Sequence, residues 1–168
     1  MTAEPMEHEA LPLDPDVEGP GARKAEGRSR RGDLVLVAAV GTGGVAGALA
    51  RYLLLLAVPA AAGHFPWGTF IINTSGSAIL GFLLVLIIEQ FPRGHLARPI
   101  LGTGVLGAFT TFSTLAVETV GLARDGALPA AAADIFGSVG AGLLAVSSGM
   151  LVARLALRLE RWLQSELS

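Results

Sequence analysis

The sequence predicts an all-α membrane protein of four transmembrane helices, the third broken at mid-membrane. Three observations carry that prediction. First, 52% of the 168 residues are hydrophobic and only 15% charged, and the mean hydropathy is +0.60, too apolar for a soluble domain of this size. Second, four apolar segments, 34–58, 67–88, 99–122 and 128–157, are each near or above the roughly 20 residues a helix needs to cross hydrocarbon. Third, the run Gly102 to Glu118 (GTGVLGAFTTFSTLAVE) sets Gly102, Gly104 and Gly107 beside Thr110, Thr111, Ser113 and Thr114. Glycine weakens a helix by about 1 kcal/mol per residue, and hydroxyls in hydrocarbon need partners. Non-helical backbone at membrane depth survives only where protein buries it or where it lines a wet cavity, so this run is the expected place of an ion or substrate path.

The chain divides into an N-terminal tail (1–32), a transmembrane domain (33–160) and a C-terminal tail (161–168). The N-terminal tail holds Pro5, Pro12, Pro15 and Pro20, seven of the fourteen acidic residues, and a basic end in Arg23, Lys24, Arg28, Arg30 and Arg31. It is too polar to bury a core, so it is expected to be disordered, a solvated tail with a juxtamembrane anchor. It has no basic n-region followed by an apolar h-region and is not expected to act as a cleavable signal peptide. The absence of cysteine excludes disulfides and thiolate metal sites, and His8, His64 and His95 form no ligand cluster.

The first span reads GTGGVAGALARY (Gly41 to Tyr52), where Gly43 and Gly47 form a small-xxx-small pair that lets another helix come close. Arg51 either snorkels to the headgroups or supplies a cation to a vestibule or dimer interface. The second span carries Asn73 and Ser77 on one helical face with Gly76 beside them; the mid-depth carboxamide serves either as interhelical glue or as an N–H donor to a ligand. In the third span Thr111, Thr114 and Glu118 share a face, with Phe112 in their midst. The edge of a phenyl ring carries partial positive charge and can touch an anion without trapping it. Glu118 lies near the span end, where it is either interfacial or part of a vestibule. Asp134 opens the fourth span and is expected at a solvated helix start, and Ser138 either faces the path or back-bonds to its own helix. Pro59, Pro66, Pro92, Pro99 and Pro129 all fall at span borders, where a missing N–H costs least. Trp67 and Trp162 fall at expected interfaces.

Of the twelve Lys and Arg, ten fall on the side of the N-terminus: five in the tail, Arg93 and Arg98 in the second loop, and Arg154, Arg158 and Arg161 near the C-terminus. Arg51 and Arg124 fall on the other. By the positive-inside rule both termini are cytoplasmic and the chain inserts in one orientation. Four short spans cannot enclose a sealed aqueous path, so a pore would need at least a dimer.

Three motifs in order, GGVAGALARY (Gly43 to Tyr52), GTFIINTSGSAILG (Gly68 to Gly81) and GVLGAFTTFSTLAVE (Gly104 to Glu118), resemble those of the CrcB/Fluc family of fluoride channels across the whole membrane body. The resemblance implies an antiparallel dimer in the bacterial plasma membrane with two anion paths and a structural sodium ion at the dimer centre. It implies that Asn73 and Phe112 line the fluoride path, that Ser113, Thr114 and Ser138 belong to a hydroxyl track, and that the backbone carbonyls of Gly107 and Thr110 hold the sodium. Where the family commonly has a second phenylalanine this chain has Leu115. The implied activity is passive export of cytoplasmic fluoride, with no enzymatic step and no nucleic-acid partner.

Fluoride is small and strongly hydrated, so amide N–H groups, hydroxyls and ring edges must replace its water without holding it. The fixed orientation and Leu115 together suggest a heterodimer with an oppositely oriented paralogue. A non-conducting structural partner subunit is the alternative. A small drug-proton antiporter would want a mid-membrane carboxylate in the first span, and none is present. Gly107→Val is expected to disturb the backbone path more than side-chain changes at Thr110.

Overall fold

The computed structural model describes residues 30–61, 63–90 and 96–166. Helix α1 (Arg30–Ala57) is followed by α2 (Trp67–Gln90). A π-helical stretch, Pro99–Leu106, then runs into the single turn α3 (Gly107–Phe109), and α4 (Phe112–Arg124) and α5 (Leu128–Glu166) complete the chain. Four helical segments are long and apolar enough to cross a membrane, Arg30–Ala57, Trp67–Ile87, Pro99–Arg124 and Leu128–Ser165. The protein is therefore a multi-pass membrane protein, with its spans where the apolar runs placed them.

Both ends of the helical body differ from the sequence expectation. Helix α1 already includes Arg30, Arg31 and Gly32 of the expected tail; residues 1–29 lie outside the described residues, as do Arg93 and His95. Helix α5 runs past residue 160 to Glu166. Its last turns, RLALRLERWLQSE, hold no glycine or proline, and Leu, Arg, Glu and Gln are good helix formers, so nothing local ends the helix where the apolar run stops.

Two close helix contacts hold the bundle together, and glycine permits both. Helix α1 lies on the third span: a Cβ on Gly43 would come within 2.8 Å of the Ile100 carbonyl oxygen, and one on Gly104 within 2.7 Å of that of Val40. A Cβ on Gly47 would collide with the backbone of Val105. Helix α2 lies along α5 in the same way, Gly81 against the Val146 backbone and Gly149 against that of Ala78. Below this contact Val85, Ala153 and Leu157 are buried together, with Phe82, Leu86 and Met150 packed on them. Lipid tails are as apolar as leucine, so this backbone-to-backbone approach, rather than water exclusion, gives van der Waals attraction its purchase.

The third span is irregular from its start. Its π-helical turns are wide enough that the Gly107 N–H reaches back to the Gly102 carbonyl. Beyond the short turn α3, Thr110 (φ −75°, ψ 157°) and Thr111 (φ −149°, ψ 122°) are extended before α4 begins. Gly126, with φ 78°, makes the tight turn from α4 into α5 that only glycine adopts without strain.

Candidate functional site

The interruption at Thr110 and Thr111 is built by one side chain of the neighbouring helix. Asn73 on α2 donates from Nδ2 to the Thr111 carbonyl at 2.9 Å and accepts at Oδ1 from the Thr111 N–H at 2.8 Å. A carboxamide offers donor and acceptor side by side, so it pairs with an extended residue as a neighbouring strand would. Thr111 in turn caps α4: its Oγ1 accepts from the Thr114 N–H at 3.2 Å and donates to Thr114 Oγ1 at 3.0 Å. Such a cap contributes about 0.5–2 kcal/mol.

These bonds have a consequence for two carbonyls. In a continuous α-helix the Thr111 N–H would close on Gly107 and the Thr114 N–H on Thr110. Both N–H groups are spent elsewhere, on Asn73 and on the Thr111 hydroxyl. The Gly107 and Thr110 oxygens are thus released from those helical donors, and hard carbonyl oxygens of this kind suit an alkali cation. The Thr110 carbonyl accepts a long bond of 3.4 Å from Arg51 Nη1. Arg51 therefore turns inward to the interruption rather than out to the headgroups.

Beside the interruption lies a groove of about 480 Å³ lined by Asn73, Ser77, Phe112, Leu115 and Ser138, with Gly76, Gly107 and Thr110 at its wall. Its surface is mostly apolar with a few polar groups, a pattern that orients a small ligand without gripping it. Phe112 is 73% exposed and Leu115 only 3%, so the ring stands at the open side and the leucine forms the floor. Ser113 and Thr114 do not line the groove; they gather around Thr111 Oγ1, Ser113 Oγ at 3.3 Å. The structure thus unites Asn73, Phe112, Ser138, Gly107 and Thr110 in one place, and sets Ser113 and Thr114 behind it.

Glu118 lines a different cavity of about 290 Å³ with His64, Pro66 and Asp125, near the turn into α5. Arg51 is not among the residues of that cavity, so the two candidate vestibule residues serve separate places. Asp134 corrects the sequence expectation. It is not at a solvated helix start but fully buried, and accepts from Thr119 Oγ1 at 2.6 Å. The turn at Gly126 folds the start of α5 against α4, and the buried face of α5 includes Asp134. Thr111, Thr69 and Thr119 are the polar residues whose roles the sequence reading missed; the signal for the last was a hydroxyl beside Glu118 on a helix that must pack against an acid.

Four helical segments long and apolar enough to cross a membrane, with the extended pair Thr110 and Thr111 in the third, define a small multi-pass membrane protein. The chain belongs to the CrcB family: residues 38–150 match the family described as CrcB-like protein, Camphor Resistance (CrcB). It is 45% identical over 149 residues to "Fluoride-specific ion channel FluC 1" of Streptomyces coelicolor, covering 87% of this chain and 95% of that protein. It is 46% identical over 116 residues to "Fluoride-specific ion channel FluC" of Chlorobaculum tepidum, covering 69% and 92%. To "Fluoride-specific ion channel FluC 2" of Nocardia farcinica it is 41% identical over 124 residues, covering 74% and 89%.

Proposed function

We propose that this chain is a subunit of a fluoride-specific channel that exports cytoplasmic fluoride passively through the bacterial plasma membrane. The observation that carries the reading is the Asn73–Thr111 pair, which leaves the second Asn73 N–H for an anion in the groove that Phe112 and Ser138 also line. Fluoride moving along the groove exchanges its water for that amide N–H, the Ser138 hydroxyl and the Phe112 ring edge. Each donor is weak and neutral, so the ion passes from one to the next. A negative-inside potential drives it outward by about 2.3 kcal/mol per charge per 100 mV.

The working unit is an antiparallel dimer, and the break in the third span lies at mid-membrane. The Gly107 and Thr110 carbonyls hold a structural sodium ion between the two subunits, a role that their lost helical donors support. Bound there, such an ion would supply positive charge to these carbonyl oxygens. Ser113 and Thr114 shape the path through Thr111 rather than by touching the ion. The ten-to-two distribution of Lys and Arg supports cytoplasmic termini and, with them, an oppositely oriented paralogue as the second subunit.

The test is fluoride efflux from liposomes. Asn73→Asp sets a negative charge on the path and Phe112→Ile removes the ring edge, so each abolishes efflux while the protein still inserts and purifies as a folded species. Wild-type efflux from either variant would sink the assignment. Leu115 favours one second reading, a non-conducting partner subunit, because a buried leucine stands at the groove floor. In that case a complex with a conducting paralogue retains efflux when Phe112 of this chain is replaced.

A further inference from the structure

Helix α5 is longer than a membrane crossing needs. Its 39 residues make about 58 Å of helix, against about 40–45 Å for a bilayer with its headgroups. Ala153 and Leu157 are buried beside Val85 and α2 stops at Gln90, so the last turns of α5 run on past the helix that supports them. There Arg154, Arg158 and Arg161 are exposed and, at i, i+4 and i+7, stand in one stripe. Leu155, Leu159 and Trp162 repeat that spacing one residue on and form an apolar stripe beside it, each more than half exposed. Glu160 instead continues the line of Ala153 and Leu157, on the side of α2.

The complementary pattern lies in the chain itself. Residues 1–22 hold six of the fourteen acidic residues and no Lys or Arg, and in 11–18 (LPLDPDVE) Asp14, Asp16 and Glu18 are interleaved with Leu11, Leu13 and Val17. Four crossings bring both termini to one face of the membrane. The described residues begin at Arg30, and residues 19–29 span about 36 Å when extended, more than the roughly 20 Å across a bundle two helices wide. Both elements lie outside residues 38–150, the part that matches the family.

We propose that residues 11–18 dock on the last turns of α5 in the same subunit, their carboxylates on the Arg154, Arg158 and Arg161 stripe and their apolar side chains on Leu155, Leu159 and Trp162. Anionic lipid headgroups are the competing occupant of an arginine stripe at a membrane border. Headgroups meet a helix that crosses them at one level, whereas an extended segment can follow both stripes along the axis. Tethering through residues 19–29 also raises the local concentration of the acids to roughly millimolar.

Trp162 reports on the docking, because Trp67→Phe leaves it the sole tryptophan of the chain. In phosphatidylcholine nanodiscs, its quenching by acrylamide is expected at least to double when residues 2–18 are deleted. The same rise is expected in high salt, where the screening length falls from about 10 Å at 0.1 M to about 3 Å at 1 M. Asp14→Lys with Asp16→Lys is expected to expose Trp162 as the deletion does, and addition of Arg158→Glu and Arg161→Glu to restore its protection, a rescue that misfolding would not give. Equal quenching with and without residues 2–18 overturns the proposal, and so does a charge exchange that restores nothing. Brominated phosphatidylglycerol that quenches Trp162 equally in the full and the deleted chain assigns the stripes to the lipid surface and refutes the docking. Protection of a deleted chain by a tryptophan-free full chain in the same disc assigns them to a second copy and refutes it too.

Discussion

At the residue scale, one asparagine and one threonine do most of the shaping. Asn73 pairs with both backbone groups of Thr111, so Asn73→Ala leaves a buried donor and acceptor unpaired at a cost of about 1–3 kcal/mol. It is expected to lower the thermal midpoint in detergent and to abolish efflux together. Thr111→Val is the informative contrast. It removes the cap on α4, about 0.5–2 kcal/mol, but keeps the backbone groups that pair with Asn73. The expected result is a similar loss of thermal stability with efflux within about tenfold of wild type. Equal efflux loss in both variants would mean that the cap, rather than the Asn73 pair, holds the interruption. Arg51 shows why position along a helix is a poor guide for long side chains: it stands near the end of an apolar run, yet its head reaches the Thr110 carbonyl.

At the element scale, stability rests on two glycine-lined helix contacts. Gly149→Val would drive a branched side chain into the Ala78 backbone, whereas a Cβ at Gly140 meets nothing within 4 Å. Gly149→Val is therefore expected to abolish recovery of a monodisperse protein, with Gly140→Ala purifying like wild type on size exclusion. Gly107 behaves differently from the sequence expectation. Its φ of −64° and ψ of −30° are ordinary right-handed helix, and a Cβ there meets only the Gly102 carbonyl at 3.7 Å. Gly107→Ala is expected to leave the subunit fold intact, so any loss of efflux would arise at the dimer centre; a Gly107→Ala protein that fails to fold would contradict this placement. The irregularity expected within Gly102 to Glu118 already starts at Pro99, where π-helical turns run to Leu106 before the extended pair is reached.

At the scale of the whole molecule, one subunit leaves its groove unfinished. Phe112, which lines the groove, is 73% exposed, and a path for an anion cannot run along an open wall in hydrocarbon. On the proposed antiparallel dimer, the ten-to-two charge bias favours an oppositely oriented paralogue as the second subunit. Expressed alone, the chain is expected to show both termini in the cytoplasm by cysteine accessibility at engineered terminal positions, and to conduct only when an oppositely oriented paralogue is present. Mixed orientation with full activity from the single chain would refute the heterodimer.

Class, span number and span borders were legible in the amino-acid sequence, because they depend on local quantities: apolar run length, proline and glycine position, and the side on which Lys and Arg fall. Asn73, Phe112 and Ser138, which the family resemblance singled out, lie together along the groove, whereas their residue types and spacing left packing, interhelical glue and back-bonding open. Tertiary structure alone decided which bond each group makes. Asn73 spends one donor and its acceptor on Thr111, Ser113 and Thr114 gather behind the groove, and Asp134 is buried against Thr119. The Thr111 contacts with Ser113 and Thr114 are local to the start of α4, but the Asn73–Thr111 and Thr119–Asp134 bonds join different helices, and the glycine-set distance between helices determines that those groups meet.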